Sequence, residues 1–263
     1  CFGSVHRSLG TTALVLGRTD DAVAHLRAAV DACERLGNRP AQLLARSDLA
    51  RALLAAGDGS GARRELRAAV GGARTAGLDG LAERWTAAAP PTLWSPLPTL
   101  TRVEGGGWEI GVGDERVGLP DLVGCQYLAV LVHHPGREVP VLRLAMDAEG
   151  PGGRQDVLDG RALGELRRRV DDLRADIDTA EAAGDTARAA ARREELDAIA
   201  QHLATSLGLG GRVRSFDDLP ERARTSVQKA IRRVIDRVDT VDPLLGDHLR
   251  RSTRTGLVCS YDP

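Results

Sequence analysis

A period of 40 residues constrains this chain more than any other feature of it. The strings GRTDDAVAHLRAAVDACERLG, from Gly17, and GDGSGARRELRAAVGGARTAG, from Gly57, both carry LRAAV, at Leu26 to Val30 and at Leu66 to Val70. Gly37 answers Gly77 at the same offset. Self-similarity at a fixed offset means stacked units, each burying one face against its neighbour. An Ala/Leu-rich stretch such as SDLARALLAAG leads through a Gly-Asp turn into a second stretch with Ala62, Leu66, Ala69 and Val70 at helical spacing. Each unit is therefore expected to be a helix pair whose alanines let the two helices approach closely. Such arrays bind partners or space other elements and do no chemistry alone. Three or more units are usual in a stable stack, so two lead to the expectation that the array continues before Cys1.

Composition sets the next bounds. In 263 residues, 36 basic and 37 acidic side chains leave a net charge of −1, so no global field favours nucleic acid or a membrane surface. Any anionic partner must meet a local patch. Only one basic residue is lysine, Lys229, and Ala, Gly, Leu and Val abound, so arginine content by itself carries little weight. Cys1, Cys33, Cys125 and Cys259 are scattered without a CxxC pair, which fits neither a zinc site nor a disulfide scaffold and predicts reduced thiols in a cytoplasmic protein. The first residue is not Met, and neither a signal peptide nor a bilayer-spanning apolar run is visible, as in a fragment that has lost its upstream part.

AAAPPTLWSPLPTL, from Ala87 to Leu100, cannot continue a helix, because proline fixes φ and lacks a donor. It divides the chain into helical repeats (1–87), a Pro-rich linker (88–102) and a second domain (103–263), with Trp94 expected to dock on a neighbouring surface. The period then changes. Trp108, Ile110 and Val112 alternate, Gly113-Asp114 turns, and Val117 and Leu119 return as a strand pair. DLVGCQYLAVLVHHPG predicts a short helix capped by Asp121, with Leu122, Cys125, Leu128 and Val132 inward. REVPV reads as a brief strand and VLRLA as the start of another short helix. At about 161–207, Leu163, Leu166, Val170, Leu173, Ile177 and Ala180, then Ala187, Ala190, Leu196, Ile199 and Leu203, flank Ala183-Gly184-Asp185. That pattern predicts an antiparallel coiled-coil hairpin.

ERARTSVQKAIRRVIDRV, Glu221 to Val238, is a two-sided helix. At 100° per residue, Val227, Ala230, Ile231, Val234 and Val238 share one face, and Arg222, Ser226, Lys229, Arg233 and Arg237 the opposite one. From Gly211 onward eleven basic residues face eight acidic ones, a modest local surplus. TRTGLVCSY closes the chain as a β-rich tail. The fold class expected is mainly α with small β elements.

The helix pairs resemble tetratricopeptide repeats of the longer-period kind, over roughly 75 residues and without the aromatic consensus positions. The strand pair around Trp108, YLAVLVHHPGREV (Tyr127 to Val139), the two-sided helix and RTGLVCSY (Arg254 to Tyr261) resemble a winged helix of the OmpR/PhoB type. More closely, Trp108 to Pro263 resembles the C-terminal domain of large actinobacterial transcription regulators that carry an ATP-binding module and helical repeats. That resemblance implies a transcription regulator binding duplex DNA, with the 222–238 helix in the recognition position and the last strands as the wing. Arg222, Ser226, Lys229, Arg233 and Arg237 would meet the groove and phosphates, with Arg250, Arg251 and Arg254 flanking the wing. The hairpin departs from the family pattern, in which a turn joins these helices, and Asp236 sits close to the basic face.

The alternative is an interaction scaffold in which repeats, hairpin and basic helix bind protein; a homodimer through the hairpin is a further possibility. No enzymatic constellation, cofactor or metal site is read. GLGGR at Gly208 and GGGW at Gly105 complete neither a phosphate loop nor a dinucleotide fingerprint. His133 and His134 point about 100° apart on a helix and do not share a metal. Cys259 is a redox switch only if a cation lowers its pKa; otherwise it is a small buried strand residue.

Overall fold

A computed structural model describes residues 4–147, 160–206 and 218–263. The described residues are mainly helical, with eleven α-helices and small antiparallel sheets. Five helices come first: α1 (Val5–Val15), α2 (Thr19–Arg35), α3 (Arg39–Ala55), α4 (Gly59–Thr75) and α5 (Asp79–Ala87). Helices α2 and α4, and the starts of α3 and α5, stand 40 residues apart, and each helix packs on the next. Glycine sets the beat at half that interval. Gly17, Gly37, Gly57 and Gly77 have φ between 64° and 84°, a left-handed backbone that L side chains adopt at a cost. After each, the next amide reaches five residues back, as in Asp58 N to Leu53 O at 2.9 Å, closing the helix end. The Asp58 side chain then caps α4 through Gly61 N at 2.7 Å, a bond that holds its carboxyl below the usual range. Ala22, Ala29, Ala45, Ala52, Ala62 and Ala69 are fully buried between the helices, so small side chains make the seams.

The Pro-rich stretch is not a free tether. Pro91–Trp94 forms a 3₁₀ turn with Leu93 and Trp94 buried, and the expected linker ends in a strand, β1 (Thr99–Arg102). β1 joins β2 (Trp108–Val112) and β3 (Glu115–Leu119) in an antiparallel sheet. Leu100, Ile110 and Val117 stand opposite one another and are almost wholly buried.

Helix α6 (Val123–His133) follows. Asp121 does not cap it: Leu122 is the N-cap, and the Asp121 carboxylate instead accepts from Trp108 Nε1 and Arg102 Nη2, both at 3.1 Å. Next come β4 (Val139–Pro140) and α7 (Val141–Asp147), and the long pair α8 (Gly160–Ala182) and α9 (Thr186–Ser206). The hairpin is present, and its second inward face keeps part of the one expected, with Leu196 and Ile199 half-buried and Ile199 packed on the core. Val170, Leu173 and Ala180 on α8 are buried, yet on α9 the buried alanines are Ala189 and Ala200, while Ala187 and Ala190 face out. Leu163, Leu166 and Leu203 lie outside the described side chains. Ion pairs Arg169 to Glu195, Arg192 to Asp176 and Arg193 to Glu181 stitch the two arms.

The chain ends with α10 (Asp218–Val241), α11 (Pro243–Ser252), β5 (Thr253–Arg254) and β6 (Val258–Tyr261). β6 lies between β4 and β5, with Val139 opposite Cys259 and Thr253 opposite Tyr261. One continuous core runs from Ala13 to Tyr261, so the repeats and the C-terminal elements are packed as one body.

Candidate nucleic-acid interface

Helix α10 buries Ala223, Val227, Ile231, Val234, Ile235 and Val238 against α6, α7 and α11. This stripe adds Ile235 to the face read from spacing and leaves Ala230 at its edge, half-buried. Two glycines allow the close approach. A Cβ on Gly124 of α6 would stand 2.2 Å from the Ala230 carbonyl oxygen, and one on Gly246 of α11 would stand 2.5 Å from the Asp239 Cα.

The outward stripe is cationic. Lys229, Arg233 and Arg237 are exposed and, among the described residues, make no hydrogen bond or ion pair. At 1.5 Å per residue they extend along about 12 Å of helix. Ser226 is half-buried at the edge of the stripe, and Arg222 is half-buried with an interaction inside the chain. Arg232, which does not belong to the face read from spacing, is exposed beside the stripe with Asp236 4.0 Å away.

The three arginines expected to flank the wing are not free. Arg250 sits among Asp236 at 3.4 Å, Asp239 at 3.5 Å and Asp247 at 4.0 Å. Arg251 bonds Asp247 and the Thr86 carbonyl, and Arg254, well exposed, lies 3.8 Å from Asp262. The crossing of α11 over α10 at Gly246 brings Arg250 onto Asp236 and Asp239, whereas Arg251 pairs with Asp247 on its own helix and Arg254 with Asp262. The same crossing draws Asp236 toward Arg250 and lessens its repulsion of an anion.

A second arginine cluster, on α4, was not legible in the sequence. Arg63 is buried and donates through Nη1 to Leu93 O at 3.2 Å and through Nη2 to Val112 O at 3.0 Å. Burial works against its charge, and Glu115 and Asp242 oppose that. Arg67 lies 3.6 Å from Glu115 and 3.2 Å from Asp242, and Arg74 donates to Asp239 at 2.7 Å. Asp242 also caps α11 through Leu245 N at 3.0 Å, and burial raises its carboxyl. Beside it, His248 stacks on Trp94 with centroids 3.9 Å apart, while its Nε2 and the Tyr261 hydroxyl are 2.8 Å apart. Burial lowers His248 to about 4.

Cys33, Cys125 and Cys259 are free and buried; Cys1 lies outside the described residues. Burial pushes the Cys125 thiol up to about 11 and raises Cys259 as well, the opposite of what a redox switch needs. His133 Nδ1 is engaged by Ala129 O at 2.7 Å. Among the described residues no group of three or more metal-ligating side chains converges, and no helix is long and apolar enough to cross a membrane. Comparison of the chain with protein-family models, curated proteins and solved structures found no match.

Proposed function

We propose that the chain is part of a cytoplasmic transcription regulator that binds duplex DNA through the outward stripe of α10. The observation that carries this reading is the unpaired row Lys229, Arg233 and Arg237 on a helix whose other face is sealed into the core. In a protein where most described arginines are matched by an acid, three adjacent unmatched cations are a place for a polyanion. α10 takes the role of a recognition helix, the β4, β6 and β5 strands that of a wing, and α1 to α5 that of tetratricopeptide-like repeats receiving a signal or a protein partner. Arg250 and Arg251 take no part in binding, because engaging phosphate would break their ion pairs.

The neutralisation of those two arginines favours a second reading, in which the stripe and the hairpin meet an acidic protein and the chain is an interaction scaffold. Affinity for a labelled duplex, measured by fluorescence anisotropy against salt, separates the two. Each phosphate neutralised contributes about 0.9 to the slope of log K against log salt, so Lys229→Ala with Arg233→Ala removes roughly 2 from it. An unchanged slope, or no binding to duplex at low salt, rules out the groove assignment.

A further inference from the structure

Two histidines on neighbouring helices face each other at the start of the chain. His6, in the first turn of α1, and His25, in the middle of α2, hold their Nδ1 atoms 3.3 Å apart, with ring centroids separated by 5.5 Å and planes tilted by 31°. The arrangement admits two accounts. A neutral pair shares one N–H between the two nitrogens, which leaves a bond at the long end of the usual range. Alternatively both lone pairs point at a third atom. A tetrahedral ion with metal-to-nitrogen bonds of about 2.0–2.1 Å places two of its ligands about 3.3–3.4 Å apart, which is the separation found here. The nearest cation in sequence, Arg7, does not compete for that space, since its Nε donates to Asp48 at 2.8 Å.

We infer that His6 and His25 form a binding site for a divalent transition-metal ion of the zinc type, clipping α1 to α2. Each imidazole ligates through Nδ1 and leaves its Nε2–H directed toward solvent, as exposed His6 and half-buried His25 permit. Among the described residues no third side chain completes the set. The ion is exchangeable rather than structural. Borderline nitrogen ligands select zinc, nickel or copper over magnesium or calcium, which want oxygen. Sequence spacing does not reveal the site, because the two residues are 19 positions apart and meet only when the helix pair forms. This inference stands apart from the DNA-binding reading and shares no residue with it.

The test uses the full chain stripped with a chelator and titrated with zinc chloride by calorimetry, alongside thermal melts with and without zinc. Binding of one ion and a raised melting midpoint are expected for the unaltered chain. His6→Gln and His25→Gln each weaken that binding by about tenfold or more, and the double variant is no weaker than either single one, because a two-point clip fails when one point is lost. Melting midpoints of the zinc-free variants confirm that these surface changes leave the fold intact. The site is disproved if both single variants bind zinc as the unaltered chain does, or if the unaltered chain binds no more tightly than the double variant. Magnesium at the same concentration shifts nothing; an equal shift would also overturn the assignment.

Discussion

Arginine does opposite work in two parts of this molecule. On α4, Arg63, Arg67 and Arg74 are turned inward or half-covered, each facing a carboxylate from beyond α5: Glu115, Asp242 and Asp239. On α10, Lys229, Arg233 and Arg237 are turned outward and make no ion pair among the described residues, the nearby Asp236 facing Arg232 and Arg250 instead. The first set joins the repeats to the rest of the chain, and the second lies open to solvent. Composition cannot separate them, because both are arginine-rich helices of amphipathic pattern. Burial and partner do, and they make the contrast measurable.

The largest effect should come from Arg63. Arg63→Ala leaves Glu115 and Asp242 in a buried site with one cation fewer and leaves the Leu93 and Val112 carbonyls without that donor. Losing one member of a buried charge network costs about 3–5 kcal/mol, so urea unfolding of the variant should show a midpoint far below that of the unaltered chain. A cost under about 1 kcal/mol would mean that the junction tolerates the loss and that the two clusters differ less than their burial suggests.

The junction also predicts how stability responds to acid. His248 is held neutral in the fold, with its value lowered to about 4, whereas the unfolded chain takes up a proton near pH 6.5. Between those values the unfolded state binds more protons, so stability rises with pH across this window and is lost as pH falls from 6.5 toward 4. The full swing is about 3 kcal/mol. His248→Phe keeps a ring against Trp94 and should flatten the urea-midpoint profile between pH 4 and pH 6.5. If the profile is unchanged, the buried imidazole is not the source of the slope.

A smaller effect belongs to Arg74. Its ion pair with Asp239 is partly open to water, and Arg250 remains 3.5 Å from the same carboxylate, so Arg74→Ala should cost about 1 kcal/mol. A cost as large as that of Arg63 would show that this pair, too, belongs to the sealed part of the junction.

Different physical features decided how much of this was visible beforehand. The helix pairs were legible because Gly17, Gly37, Gly57 and Gly77 end helices by a backbone requirement that side chains elsewhere cannot override. The buried stripe of α10 was legible because valine and isoleucine at helical spacing have one place to go. On α9 alanine is so frequent that two faces look equally apolar, and the choice falls to Ala189 and Ala200 only through the register with α8. β1 was hidden because TLTR is short and follows four prolines, which mark a boundary more loudly than a strand. The fate of Arg250 was illegible for a deeper reason: Asp236 and Asp239 lie on α10, and only the close crossing at Gly246 brings them within reach, whereas the pair of Arg251 with Asp247 has i,i+4 spacing open to sequence.

The smallest effect on stability is the most informative about use. Replacing Lys229, Arg233 and Arg237 together by alanine removes three positive charges from α10, whereas the single Arg63 change removes one from α4. On charge count alone the triple variant should suffer more. The reverse is expected, because an exposed cation with no partner loses only its hydration and a little stem packing, and alanine is the better helix former. The triple variant should therefore unfold within about 0.5 kcal/mol of the unaltered chain. Its duplex affinity should fall, and the salt slope should drop by about 3, near 0.9 for each phosphate no longer neutralised. Large destabilisation of this variant would mean that the stripe packs against part of the molecule, and the distinction between an inward and an outward arginine cluster would then collapse.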